Sequence, residues 1–215
     1  MKPGPLTVAL LGNPNVGKST LFTALAGIPT RVGNYPGVTV EEKIGRFTHR
    51  GRDIDLIDLP GTYSLVPQSP DERVAVDVLH GRVPDVARPD CVLVVADATN
   101  LARNLFLATQ AFDVGVPVVV ALSLADVADR RGIRIDVTEL ARRLGCPVVR
   151  VAAPTGDGIA ELRDRIVETV GGPVPQPLRL TRAAAPEDRP AAAADAIARY
   201  DAIERLLDGV TGGRS

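Results

Sequence analysis

Residues 12–19 read Gly12-Asn13-Pro14-Asn15-Val16-Gly17-Lys18-Ser19, and this octet limits the fold more than any other feature of the chain. Its spacing is G-x-x-x-x-G-K-[ST]. The glycines let the backbone curl until successive N–H groups face a common centre. Lys18 adds a compact positive charge for β- and γ-phosphates, and Ser19 adds a hydroxyl for Mg²⁺. The flanks agree with that reading. Leu6 to Leu11 is an apolar run of strand length, and Ser19 to Ala26 reads as a helix closed by Gly27. Strand, glycine loop and helix in that order aim a helix N-terminus at an anion.

The strand signal recurs along the chain. Val40 to Phe47 alternates weakly and Asp53 to Asp58 alternates cleanly, with a turn at 49–52, which predicts a hairpin. Cys91 to Ala96, Val116 to Leu122 and Pro147 to Val151 are continuous apolar runs, the pattern of strands covered on both faces. Helical stretches separate them, near 71–80, 101–114, 137–144 and 159–170. Ile28 to Thr39 is polar and irregular, and reads as loop. The alternation predicts an α/β fold in three layers, with a mostly parallel sheet of six to seven strands and one antiparallel edge hairpin. Ligands in such folds sit at the carboxyl ends of the strands, where every motif here falls.

Composition narrows the function. A net charge of −1 over 215 residues argues against a nucleic-acid binder driven by bulk charge. No apolar run approaches the ~20 residues that span a bilayer, and no signal peptide opens the chain. Cys91 and Cys146 lack CxxC spacing and suit buried thiols in a reducing compartment. His49 and His80 stand alone, so a histidine metal cluster is not expected. Beyond Gly171 the composition turns rich in Pro, Ala and Arg. This divides the chain into a nucleotide-binding domain (1–170), a linker (171–190) and a short C-terminal helical appendage (191–215). In the appendage Ile197, Tyr200, Ile203, Leu206 and Leu207 recur at helical spacing, a stripe that docks on a neighbouring element or on a partner.

Asp58-Leu59-Pro60-Gly61 closes the second hairpin strand. The aspartate can hold Mg²⁺ through water and the Gly61 N–H can contact a γ-phosphate, although an aspartate there is also an ordinary turn former. Thr39 offers a hydroxyl that could complete the Mg²⁺ shell, or it reflects plain β-propensity.

Three segments together carry a family resemblance: Gly12 to Thr20, Val32-Gly33-Asn34-Tyr35-Pro36-Gly37-Val38-Thr39-Val40-Glu41, and Asp58 to Leu65. They resemble the amino-terminal G domain of the FeoB family of bacterial ferrous-iron transporters, over roughly Leu6 to Val170. Residues 199–207 resemble the last stretch of that family's helical domain.

The resemblance implies a Ras-like P-loop G domain that binds GTP/GDP and hydrolyses GTP slowly. Gly12 to Thr20 would cradle the phosphates, with Gly37, Val38, Thr39 and Asp58 to Gly61 completing the phosphate side. Ser19 and Thr39 would ligate Mg²⁺, with Asp58 behind them. Asn15 and carbonyls near Gly33 and Tyr35 would hold K⁺, which supplies the charge an arginine finger supplies elsewhere; Asn15 also serves as a loop former. Lys18, Thr39, Gly61 and Thr62 are the catalytic candidates, Thr62 standing where Ras-like proteins place a water-orienting glutamine. The resemblance further implies continuation into a transmembrane iron-permeation domain and a site at the cytoplasmic face of the bacterial inner membrane. Its partners would be a small cytosolic accessory protein or a second copy, and no nucleic acid.

Two departures stand out. The base-reading Asn-x-x-Asp of the family is Ser123-Leu124-Ala125-Asp126 here, and its Ser-Ala-x is Ala152-Ala153-Pro154. Asp126 keeps the acceptor for guanine, while Ser123 lacks the asparagine amide and Pro154 has no N–H. This predicts weaker binding and relaxed discrimination between guanine and adenine nucleotides, with ATP as a second substrate. In addition, only forty-five residues follow Val170, a shortened helical region for the family. Two other readings compete: a stand-alone ribosome-assembly GTPase, which would need a basic RNA-binding appendage, and a nucleotide-binding scaffold without hydrolysis.

Overall fold

The computed structural model describes residues 4–36, 38–171 and 189–212. Gly37 and most of the expected linker lie outside the described residues. The elements are β1 (Leu6–Gly12), α1 (Lys18–Ala26), β2 (Arg31–Asn34), β3 (Glu41–His49), β4 (Arg52–Asp58), α2 (Pro70–Leu79), β5 (Cys91–Asp97), α3 (Leu101–Phe112), β6 (Val118–Ser123), α4 (Ala125–Arg130), β7 (Arg134–Ile135), α5 (Val137–Leu144), β8 (Val148–Arg150), α6 (Ile159–Gly171), α7 (Arg189–Leu207) and β9 (Thr211–Gly212).

Seven strands form one sheet in the order β2-β3-β4-β1-β5-β6-β8, and β7 pairs with β9 apart from it. The pairs from β4 across to β8 are parallel, while β2–β3 and β3–β4 are antiparallel. The period of two along each central strand explains the layers. Ala9 and Leu11 of β1, and Val92, Val94 and Ala96 of β5, face a core closed by α2, α3, α5 and α7. Val8, Leu10, Leu93 and Val95 face the opposite core, closed by α1 and α6. Every residue of β1 is buried, as its unbroken apolar run requires.

The parallel register puts the strand ends side by side. Leu10 pairs with Asp58, Gly12 with Val95, and Asp97 with Ser123. The sheet's carboxyl edge therefore gathers Gly12, Asp58, Asp97 and Ser123, from four different strands. Among the described residues, no helix is long and apolar enough to cross a membrane.

Three expectations need correction. Ile28 to Thr39 is not wholly irregular, because Arg31–Asn34 pairs antiparallel with β3 and extends the edge hairpin by a strand. All four of its residues are exposed, so no hydrophobic alternation announced it. The short α4 and the β7–β9 pair were also not anticipated. Finally, the stripe on α7 docks as expected through Tyr200, Ile203, Leu206 and Leu207, but the buried face is rotated away from Ile197. Ile203 and Leu206 are buried, but their companions are Arg199 and Ala202, while Ile197 is 64% exposed.

Arg199 explains the rotation. Its Nη2 donates to Oδ2 of Asp113, the residue that caps the C-terminus of α3, at 2.5 Å and its Nε to Asp195 Oδ2 one turn earlier at 2.7 Å. Burial pushes its pKa down, and the Asp195 and Asp113 bonds more than reverse that. The ring of Tyr200 stacks on Phe106 of α3 at 4.9 Å. At the far end Arg143 of α5 donates to the carbonyls of Leu206 and Asp208 at 2.9 and 2.7 Å, capping the helix electrostatically. The appendage thus docks on α3 and α5 of its own chain.

Candidate nucleotide site

The loop after β1 takes its shape from two residues in the left-handed region. Asn15 has φ 65° and Gly17 φ 81°. Asparagine tolerates that region and glycine occupies it without strain. Val16 between them is 3% exposed and packs into the core below, which pins the loop's middle. Gly17 is also the N-cap of α1, and no side chain caps that helix end. Its first-turn N–H groups are therefore available to an anion, reinforced by the helix dipole. Asn13 is 3% exposed, and its Oδ1 has no partner among the described residues.

The segment after β4 is zipped alongside. Leu59 N donates to Leu10 O at 3.1 Å and Thr62 N to Gly12 O at 3.2 Å. Lys18 Nζ donates to Asp58 Oδ1 and, at 2.6 Å, to the Leu59 carbonyl, so the loop lysine and the strand-end aspartate form one ion pair. Gly61 lies against the loop: a Cβ there would stand 3.3 Å from Pro14 Cγ and Pro14 N.

Thr62 is fully buried, and its hydroxyl is engaged away from the loop. The Oγ1 lies 2.6 Å from the Ser64 carbonyl and 3.0 Å from Glu72 Oε1. Glu72 in turn accepts from Gln68 N through Oε2 at 2.7 Å, and its own N–H donates to Ser69 Oγ at 3.2 Å. Glu72 thus ties the segment following Gly61 to the start of α2. Sequence reasoning missed it, although Ser69-Pro70-Asp71-Glu72 has capping-box spacing.

On the other side of the loop, Gly33 sits in β2 opposite Glu42. Tyr35 N donates to Val40 O at 2.9 Å, and the Tyr35 carbonyl accepts from Val38 N at 3.2 Å. The Tyr35 ring is 1% exposed and its hydroxyl has no partner among the described residues. Burial raises its pKa strongly, helped by the negative charges of Glu42 and Asp58. Val38 and Thr39 are exposed and line an open depression with Asn34, Pro36 and Pro70. No hydrogen bond among the described residues joins Asn15 to Gly33 or Tyr35.

At the sheet's other end, Ser123 is 5% exposed and its hydroxyl donates to the Ala96 carbonyl at 3.2 Å. Leu124 enters the left-handed region at φ 55° to start α4. Asp126 follows in the first turn, where its Oδ2 pairs with Arg130 at 2.9 Å. The loop 152–158 is folded on itself: Ala152 N donates to Asp157 O at 3.0 Å, and Gly156 N to Ala152 O at 3.0 Å. Ala153 shares a depression with Ser19, Thr20 and Thr23 of α1, and Pro154 is exposed. Ala125 N lies 3.5 Å from Val151 O, so the two segments expected to read the base meet.

A parallel sheet with helices on both faces, and a G-x-x-x-x-G-K-S loop joining β1 to α1, define a P-loop nucleotide-binding domain of the G-domain type. The family model for ferrous iron transport protein B matches residues 6–166. The chain belongs to the FeoB family. It is 46% identical over 163 residues to the Fe(2+) transporter FeoB of Salmonella typhimurium, covering 74% of this chain and 20% of that protein. The chain therefore spans about a fifth of the length of the curated relatives it matches. Among solved structures it resembles the cytosolic domain of the T. maritima FeoB iron transporter in its apo form, with TM-score 0.85, 31% identity, and coverage of 97% of this chain and 100% of that one. That same domain in a GDP form and a GMPPNP form also gives TM-scores of 0.85, at 32% and 31% identity, each covering nearly all of both chains.

Proposed function

We propose that residues 1–170 bind GTP and hydrolyse it slowly, as the regulatory domain of a longer ferrous-iron transporter. The observation that carries this reading is the meeting of Lys18, Asp58 and the uncapped α1 N-terminus at the carboxyl edge of the sheet. The GDP and GMPPNP forms of the T. maritima domain support a guanine nucleotide as its occupant.

The residues suit the groups a nucleotide needs. The α1 amides and Lys18 supply donors to phosphate oxygens. Ser19 and Thr39 have exposed hydroxyls, and Asp58 supplies a carboxylate, an oxygen donor set that fits Mg²⁺. When bound, Mg²⁺ neutralises charge on the β- and γ-phosphates. In a bound state Lys18 would exchange its bond to Asp58 for phosphate oxygens, leaving the Asp58 carboxylate free to hold Mg²⁺ through water. Gly61 N–H and Thr39 would be the groups for the γ-phosphate. With the Thr62 hydroxyl held by Ser64 and Glu72 and its N–H donating to the Gly12 carbonyl, the attacking water would be oriented by other backbone groups of the segments around Thr39 and Gly61. Asn15 and the Gly33 and Tyr35 carbonyls would form the K⁺ site of this proposal.

Ser123, Asp126, Ala152 and Ala153 would receive the purine. The Arg130 partner of Asp126 and the absent amide at Ser123 support relaxed guanine selectivity, with ATP as a weaker substrate. Hydrolysis would gate Fe²⁺ uptake through a membrane domain following this chain, at the cytoplasmic face of the inner membrane. Turnover of GTP and ATP in KCl and in NaCl tests the reading. Potassium-specific GTP hydrolysis is expected. A scaffold without hydrolysis, suggested by the altered base motifs at Ser123 and Ala152 and by the engaged Thr62 hydroxyl, would give no turnover in either salt.

A further inference from the structure

One edge of the main sheet is open. β2 is the outermost strand on that side, and all of its residues are exposed. Just beyond it Tyr35 N donates to Val40 O, and antiparallel bonding alternates along a strand. The backbone groups of Arg31 and Gly33 therefore face β3, while those of Val32 and Asn34 point outward. Thr30 N also turns to β3, 2.8 Å from Ile44 O, which confines the open stretch to Val32 and Asn34. Soluble proteins commonly blunt such an edge with proline or lysine on the strand, or by covering it. β2 carries neither residue, and Arg31, its one charged side chain, is engaged by Glu42 of β3 at 2.9 Å. Val32 is 59% exposed on the face it shares with Lys43. Outward backbone donors and acceptors in extended geometry specify another strand as their complement.

We propose that β2 pairs antiparallel with β2 of a second copy of this chain, about a two-fold axis at Gly33. In that register each Val32 exchanges its backbone bonds with Asn34 of the other copy, so the outward groups of both strands are satisfied. Gly33 then faces Gly33 of the other copy in the close position without bonds between them, where Cα atoms approach to about 4.5 Å. No atom lies within 4 Å of a Cβ built on Gly33, so the approach is unobstructed. Charge also favours a twin as the occupant. Val32 pairs with Lys43 and Asn34 with Glu41, so each row across the joined strands begins at a lysine of one copy and ends at a glutamate of the other. The contact is short, which makes the dimer weak. It draws on no nucleotide and stands apart from the hydrolysis proposed above.

Amide spectra of the full 215-residue chain, recorded from about 20 μM to about 1 mM, test this. The Val32 and Asn34 amides should shift with concentration along one isotherm, with a Kd of roughly 0.1–1 mM. In a mixture of ¹³C-labelled and unlabelled chains, a contact between the Gly33 Hα atoms of the two copies is expected. Val32→Pro removes an outward N–H from an edge strand, where proline is tolerated. It should abolish the concentration dependence at Asn34 while the Gly33–Glu42 contact within the chain persists. Val32→Thr keeps the N–H and should associate as the wild type does. If Val32→Pro loses the pairing to β3, the Gly33 contact in the wild type decides alone. Spectra independent of concentration up to about 1 mM, contacts between copies that bypass β2, or full association of Val32→Pro with β2 still paired to β3 would each overturn the proposal.

Discussion

Ser123 packs directly beside the glycine that caps α1. A Cβ added to Gly17 would stand 4.0 Å from Ser123 Cβ, and the Ser123 hydroxyl turns back to the Ala96 carbonyl. Under the proposed function, the residue that ends β6 would sit between base and phosphate loop with a side chain too short to link them. Ser123→Asn restores an amide at this junction. One added hydrogen bond of about 1 kcal/mol corresponds to roughly fivefold in affinity. GDP binding is expected to tighten by about that factor while ADP binding changes less, measured by competition titration. Equal gains for both nucleotides would contradict the base-side assignment.

Gly61→Ala tests the contact between the post-β4 segment and the loop. The new methyl would meet Pro14 N and Cγ at 3.3 Å, and the proline ring and backbone yield poorly. Under the proposed function this would displace the Gly61 N–H from the γ-phosphate. Single-turnover GTP hydrolysis should fall by roughly tenfold or more, while the GDP dissociation constant should stay nearly unchanged. Loss of GDP binding would show that the segment is structural instead.

Arg143→Ala removes the cation that bonds the last carbonyls of α7. A loss of about 1–2 kcal/mol is expected in denaturant unfolding. Amide exchange should accelerate first in α7 and in the Thr211–Gly212 strand, whose neighbour Val210 accepts from Asp136 N. Uniform acceleration over the whole sheet would argue against α7 as a separately docked element.

Both thiols are buried, and burial pushes Cys91 and Cys146 up to about 12. The unfolded chain releases those protons near pH 8.5. A neutral thiol held above its unfolded pKa stabilises the fold below about pH 8.5. That contribution is lost as the pH rises through the interval toward about 12. Iodoacetamide at pH 9 should therefore label neither cysteine in the native protein and both in urea. A Cys91→Ala, Cys146→Ala variant should show a shallower loss of stability with rising pH.

Legibility in the sequence followed the range of the interactions. The β3–β4 hairpin and the central strands were readable because apolar spacing along one segment decides them. The loop 12–19 was readable because its chemistry is contiguous. β2 was not, since an exposed edge strand containing Gly33 and Asn34 forms only because β3 offers an unpaired edge. The buried face of α7 was misread because hydrophobicity cannot announce an arginine whose two partners include a residue 86 positions away. The Thr62–Glu72 bond was hidden because it is a choice among side-chain partners, whereas the Asp126–Arg130 pair has i,i+4 spacing and was overlooked because α4 itself was not anticipated.

The central claim is that the amides and ammonium of residues 12–20 grip a nucleotide's phosphates. Fluorescence titration of mant-GTP against the wild-type chain and Lys18→Ala, each first shown to be folded by circular dichroism, tests it most directly. The account predicts that affinity falls roughly ten- to a hundredfold in the variant, as removal of a charged phosphate contact implies. Superimposable binding curves for the two proteins would contradict it.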